Sequence, residues 1–274
     1  MKSSIFKNAP NLGADIASTQ LDRRRLLTLG AATAAAAAAS VAVPSWAQTQ
    51  GDKGDLAAWA AAMPDSPEIT EPYMTSNTAL LLVDLLNDFL DEKGKLAPRI
   101  GTMLERTRLK TNLARLIAGA RAKKMKLFYV PHELDEHVFD DVKYVHPRWK
   151  WGMENKVFWK ESWGSDFYPP FAPKKGDIIS TRHRTFDGFF NTNLQQELKK
   201  AHIEKVVFAG LTSHTCVEGA GRHALEEGYH VTFLADGVAE FTEDAHRAAI
   251  TLSYPTFGHQ VTTIDSFLRH VKEG

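Results

Sequence analysis

The chain has a single cysteine, Cys216, among 274 residues. No intrachain disulfide can form, so the fold must be held by its core. There is no excess of charge of either sign, because 33 Lys and Arg balance 33 Asp and Glu. That balance leaves no electrostatic footprint for a nucleic-acid partner. There is no apolar run of the roughly 20 residues that a spanning helix needs. The stretch from Leu29 to Val43 is the nearest approach, about 15 residues dominated by alanine. There is no internal repeat. What remains is 43% hydrophobic and 24% charged, ordinary for a water-soluble domain with a full core. A lone cysteine in such a chain is either an inert buried hydrophobe or a reactive thiol.

The charge is unevenly spread. Residues 1–47 hold Lys2, Lys7, Arg23, Arg24 and Arg25 against Asp15 and Asp22, which leaves the remainder mildly acidic. Asp22-Arg-Arg-Arg-Leu-Leu27 precedes the alanine-rich run, which ends at Pro44-Ser-Trp-Ala47. A basic segment, a weakly apolar segment and a small-x-small site make a secretory signal. The adjacent arginines followed by leucines resemble a twin-arginine signal. The expectation is a cleaved signal over 1–47, a periplasmic protein with no stable membrane insertion, an N-terminal arm over 48–75, and one domain over 76–274.

The body alternates strand and helix. Thr78–Val83 is a continuous apolar run of strand length, as a strand buried on both faces requires. Leu109, Leu113, Leu116, Ile117 and Ala120 share one face of a helix over 107–121. Further strands are expected at Lys126–Val130, Asp177–Ser180, Lys205–Ala209, His230–Ala235 and Gln260–Ile264, and helices at 192–201, 217–227 and 243–253. Thr192 or Asn191 is the expected cap of the first of these helices, and Gly228 ends the second. This order predicts a single-domain, three-layer α/β/α fold, a parallel sheet flanked by helices. Ligands in such sheets bind at the carboxyl ends of the strands. Residues 135–176, rich in Trp, Pro, Lys and Asp, read as a long surface excursion.

Two chemically capable residues fall at strand ends. Asp84 closes the first strand. Cys216 follows the strand at 205–209 through Gly210-Leu-Thr-Ser-His-Thr215 and opens a helix at Val217. A helix N-terminus favours thiolate over thiol, and a nearby carboxylate can accept the thiol proton. Taken singly, Asp84 is also a good turn residue and Cys216 a good core residue.

Leu82-Val-Asp84-Leu-Leu-Asn-Asp88-Phe-Leu90 resembles the opening motif of isochorismatase-like hydrolases. Gly210-Leu-Thr-Ser-His-Thr-Cys216-Val-Glu218 resembles their nucleophile segment, Gly188–Leu194 the helix entry between the two, and Asp236 the end of the following strand. The resemblance spans roughly residues 76–265. It implies a parallel sheet flanked by helices and an Asp-Lys-Cys triad, with Asp84 as general base and Cys216 as nucleophile. It also implies a cis peptide between Leu211 and Thr212, and an oxyanion hole formed by the backbone N–H groups of Thr212 and Cys216.

The chain departs from that pattern at the lysine. Six residues before Phe189 stands His183, within Thr181-Arg-His-Arg184. A protonated His183, or Arg182 swinging in, would supply the missing positive charge. Nicotinamidases of the family hold a metal through an Asp-x-His pair and a further His. The corresponding region here is His132-Glu-Leu-Asp135-Glu-His137, with His146 beyond it, and no metal is expected. Phe89, Trp163 and His214 are the candidate pocket residues. The aromatic stretch 144–168 is a candidate lid or subunit contact.

The expected activity is hydrolysis of a small-molecule amide or related C–N bond through a Cys216 thioester, with no cofactor, in a homo-oligomer. Two alternatives stay open: a vinyl ether hydrolase of the isochorismate type, which needs no cysteine, and a non-catalytic ligand-binding member of the fold.

Overall fold

The computed structural model describes residues 54–274, so the signal expected at 1–47 lies outside the described residues. Two short strands, β1 (Tyr73–Met74) and β8 (Val271–Lys272), pair in parallel and join the two ends of the body. The central sheet holds β2 (Thr78–Val83), β3 (Lys126–Val130), β4 (Ile178–Ile179), β5 (Lys205–Leu211), β6 (His230–Ala239) and β7 (Gln260–Thr262). Its order is β4-β3-β2-β5-β6-β7, and every pairing is parallel.

Alternate residues of β2 feed opposite cores. Leu80 and Leu82 join one, with Leu113, Leu116 and Ile117 of the Leu109–Ala122 helix and Phe267. Ala79, Leu81 and Val83 join the other, with Leu194, Leu198, Ala220 and Ala224. All six residues of β2 are buried, which is why this strand lacks the polar alternation of a one-sided sheet. The chain winds outward from β2 to β4 and then returns to place β5 on the other side of β2. The winding therefore reverses between β2 and β5, and a crevice opens at their carboxyl ends. Asp84 and Cys216 follow these two strands.

Several sequence-based expectations need correction. Of the arm at 48–75, the part from Asp55 onward packs into the domain. Asp55 caps the Leu56–Ala61 helix by accepting from Ala57 and Ala58 at 3.0 and 3.2 Å. Ser66 bridges Val261, and the Asp65 carboxylate holds Thr262 and Ser266. The helix at 192–201 is shorter, Leu194–Lys200, although the Thr192 hydroxyl does accept from Leu194 N–H at 3.2 Å. Asp236 does not end its strand, because β6 runs on to Ala239. Its carboxylate, 3% exposed, accepts from the Ile264 N–H at 2.8 Å; it anchors the last helix and lies outside the crevice. Residues 135–176 carry their own structure, with a Pro147–Glu154 helix and two short 3-10 turns.

Candidate active site

Cys216 does not open an α-helix as expected. It sits in a π-helical turn, Ser213–Val217, and the α-helix begins at Glu218. The turn is tied from below. The Glu240 carboxylate accepts from His214 N–H at 2.9 Å, the Tyr254 hydroxyl donates to the Ser213 carbonyl at 3.0 Å, and the Ser213 hydroxyl meets His246 Nδ1 at 3.3 Å. Glu240, Tyr254 and His246 are all buried, so the turn rests on a fixed floor. Gly210 precedes it at φ +120°, and a Cβ there would lie 2.1 Å from the Val83 carbonyl oxygen. Only glycine lets β5 pass this close to the end of β2. The Leu211–Thr212 peptide is cis.

Asp84 adopts the left-handed region, φ 54°, which Asp tolerates better than most residues. Its N–H donates to Val130 at 3.0 Å, and its carbonyl accepts from Leu86 at 2.8 Å. The kink turns its side chain into the crevice, where it is fully buried. Oδ1 lies 3.0 Å from His183 Nε2, and Oδ2 has no hydrogen-bond partner. Donor atoms of Asp84, His183 and Cys216 all fall within 4.8 Å of one another. Three residues far apart in sequence thus converge at the sheet's carboxyl edge.

His183 is positioned by a short continuation of the β3–β4 pairing, since it bridges His132 and its N–H donates to the Pro131 carbonyl at 3.0 Å. Its Nδ1 is 2.9 Å from the Thr185 carbonyl. That oxygen only accepts, so Nδ1 carries a proton. Nε2 faces a carboxylate, so the ring donates at both ends as an imidazolium. Burial opposes the charge, but the Asp84 carboxylate and the Thr185 carbonyl outweigh it and raise the His183 pKa. The His183 ring thus stands against Asp84, with both side chains fully buried. Arg182 is committed elsewhere, donating to the Ser165 and His132 carbonyls and pairing with Glu133 at 3.2 Å.

The Cys216 thiol is 5% exposed and lies 3.9 Å from the same Thr185 carbonyl. Burial, and then the adjacent Asp84 charge, push its pKa well above the ordinary thiol value. Burial and the Asp84 charge thus oppose the thiolate that a helix N-terminus would favour, and the thiol stands beside a carboxylate with one bare oxygen.

The metal set considered from sequence does not fit. Asp135 and His137 lie on a surface loop, where His137 Nδ1 meets Asp140 at 3.0 Å and Asp135 meets Lys160 at 3.5 Å. Among the described residues, Asp84, His183 and Cys216 alone form a close group of potential ligands. In that group both His183 nitrogens already face oxygens, Asp84 Oδ1 at 3.0 Å and the Thr185 carbonyl at 2.9 Å.

A cavity of about 60 Å³ opens onto this group. Phe89 lines it as expected, with Thr212, Thr215, His132, Trp149, Trp151, Phe158, Phe186 and Phe241. Trp163 does not; it is 46% exposed, and its carbonyl accepts from Asn87 Nδ2 at 2.8 Å. His214 turns outward to Glu218 at 3.0 Å. The 144–168 stretch therefore supplies the wall through Trp149, Trp151 and Phe158, while Tyr144 is 82% exposed.

Two contributors were not assigned to the pocket from sequence. Asp88 holds the wall in place, its carboxylate accepting from Lys95 and Phe158 N–H groups at 3.1 and 2.6 Å. His132 is 1% exposed, packed by Trp149, Phe158 and His183, and neither ring nitrogen has a partner. Burial and then His183 lower its pKa well below the usual value, so it is neutral. Its signal was available: like Asp84, it follows the end of a buried strand.

A parallel α/β sheet that brings thiol, carboxylate and imidazolium to its reversal point defines a hydrolase of one particular architecture. The isochorismatase domain matches residues 78–265, and the chain belongs to this family of hydrolases. It is 27% identical over 212 residues to the ureidoacrylate amidohydrolase RutB of Variovorax paradoxus, covering 71% of this chain and 81% of that one. Among solved structures, an isochorismatase-like hydrolase from Alkaliphilus metalliredigens has a TM-score of 0.57 at 26% identity, covering 72% and 97% of the two chains. A cysteine hydrolase from Pseudomonas syringae pv. phaseolicola has a TM-score of 0.63 at 21% identity, covering 76% and 97%; that likeness concerns the fold.

Proposed function

We propose that the chain is a cysteine amidohydrolase that cleaves a small amide or related C–N bond. One observation carries this reading: Asp84 is held by His183 through one oxygen and keeps its other oxygen bare beside the buried Cys216 thiol. Asp84 takes the thiol proton as sulfur attacks the substrate carbonyl carbon, so no standing thiolate is required. The negative charge that forms on the carbonyl oxygen is received by the backbone N–H groups of Thr212 and Cys216, two residues that line the cavity. The C–N bond breaks, Asp84 returns the proton to the departing nitrogen, and a thioester remains. Water, deprotonated by Asp84, then cleaves the thioester and restores the thiol. His183 keeps Asp84 oriented and offsets its charge throughout. The relatedness to a ureidoacrylate amidohydrolase supports the choice of C–N chemistry.

The test is ammonia release from ureidoacrylate and a panel of small amides, with intact-mass detection of an acyl adduct on the protein. Cys216→Ala and Asp84→Asn are each expected to lose about three orders of magnitude or more, as for members of a catalytic unit. Retained ammonia release in Cys216→Ala would sink the mechanism; cleavage of an isochorismate-type vinyl ether that survives Cys216→Ala would favour that alternative. Saturable binding with no turnover in the wild type would favour the non-catalytic one.

The same proposal places the protein in the periplasm after twin-arginine-type export, on the strength of residues 22–47, and has it act as a homo-oligomer. Fractionation of cells expressing Arg24→Lys/Arg25→Lys should find the precursor retained in the cytoplasm. Light scattering on the mature chain should return a multiple of the monomer mass.

A further inference from the structure

We propose, resting on the hydrolase reading above, that the substrate carries a carboxylate remote from its scissile carbonyl, and that Arg99 and Arg148 receive it. Both arginines line the cavity that ends at Cys216, and both also line the open cleft at its mouth, together with Pro147 and Trp151. Arg99 lies over the Trp151 and Phe241 rings, 5.1 Å from each centroid, and Arg148 over Phe186 at 5.4 Å. All three rings are cavity wall. A guanidinium held over a ring face by its Cζ still has N–H groups for an oxyanion, in the fork that matches a carboxylate.

Neither guanidinium has a carboxylate partner among the described residues. Elsewhere on the surface Arg106, Arg115, Arg121, Arg184 and Arg222 each lie against one. The single acid in the cavity wall is Asp84, and His183 matches its charge. The cavity is therefore apolar along its walls, neutral at its floor and doubly positive at its mouth. Low-dielectric walls focus such a field toward an incoming anion. A neutral amide would leave both cations unanswered; an amide or ureide bearing an acid group would answer them while its carbonyl reaches Cys216.

The experiment needs no natural substrate, because Cys216 is the chain's one thiol. Alkylation by iodoacetate and by iodoacetamide, which differ by one charge, is timed on the mature protein and on N-acetylcysteine at one pH. The iodoacetate-to-iodoacetamide rate ratio is expected to be higher on the protein than on the free thiol. In Arg99→Gln/Arg148→Gln this ratio should fall by about threefold or more, the scale of one or two solvent-screened charge interactions. About 0.5 M salt should produce the same fall in the wild type, and Arg222→Gln should not. 3-Ureidopropionate, but not 3-ureidopropionamide, should protect Cys216 from iodoacetamide. A ratio indifferent to both arginines would overturn the inference and leave the hydrolase reading standing. A thiol inert to both reagents at every pH would remove the reading itself and the inference with it.

Discussion

Replacing His183 with glutamine would strip the counter-cation from a fully buried carboxylate. Both side chains are fully buried and 3.0 Å apart. At that separation, and with an effective dielectric near 20, their attraction is about 5–6 kcal/mol. Breaking a buried pair by removing one partner costs about 3–5 kcal/mol, because the other charge is stranded. For a domain of this size that corresponds to a fall of about 6–20 °C in Tm. The double variant Asp84→Asn/His183→Gln leaves no charge to strand and should recover about 2 kcal/mol or more of the summed single losses. Urea melts of the four proteins, followed by fluorescence, measure the cycle. The pH dependence has a definite sign. His183 has a raised pKa in the folded state, so its stabilisation is complete below the unfolded value near 6.5 and is lost as pH rises through the folded value. The gap between wild type and His183→Gln should therefore narrow on the alkaline side. Single variants that each cost under about 1 kcal/mol and simply add would refute an ionised pair and, with it, the substitution of imidazolium for lysine.

Three further outcomes follow from the structure. His132→Phe removes two unpartnered buried nitrogens and should hold or raise stability, by about 1–3 kcal/mol, while KM for the true substrate rises; lowered stability with unchanged KM would make His132 a packing residue only. Burial, then Arg247, lowers the His246 pKa to about 4. Since unfolding restores its ordinary affinity for protons, stability should fall by about 3 kcal/mol as pH drops from 6.5 toward 4, and His246→Gln should flatten that part of the profile in acid melts. Gly210→Ala must fit a Cβ 2.1 Å from the Val83 carbonyl at a φ of +120° and should cost more than about 3 kcal/mol; a Tm within 2–3 °C of wild type would show that β2 and β5 do not meet so closely.

The parallel sheet was legible because its central strands are unbroken apolar runs of strand length; β2 stops just before Asp84 as expected, whereas β5 runs through Gly210 to Leu211 instead of stopping there. Thr78–Val83 and Lys126–Val130 occur where the pattern predicts. The helix at Ala97–Arg106 was not read, although Ile100, Met103 and Leu104 recur at helical spacing and Pro98 falls in the first turn, where no N–H is missed. The π-helical turn at Cys216 was not legible either. It depends on Glu240, Tyr254 and His246 reaching it from other elements, and no local spacing encodes that. The convergence of Asp84, His183 and Cys216 followed from strand-end logic and family resemblance together. The cavity wall did not, because neither the polar face of the Ala97–Arg106 helix nor the aromatic content of Pro147–Glu154 says by itself which side chains face inward. His132 was weighed only as a metal ligand, although its place at a strand end pointed to the same crevice.

The Thr185 carbonyl accepts from His183 and lies against the Cys216 sulfur. A backbone acceptor cannot be deleted by changing a side chain, so mutational scanning at position 185 should find almost every residue tolerated. The vulnerability moves to the path of the chain: a one-residue insertion or deletion between His183 and Phe186 would withdraw the same oxygen from the cation and the nucleophile at once. For this hydrolase, a short surface loop that looks permissive in substitution data should prove intolerant of any change in its length.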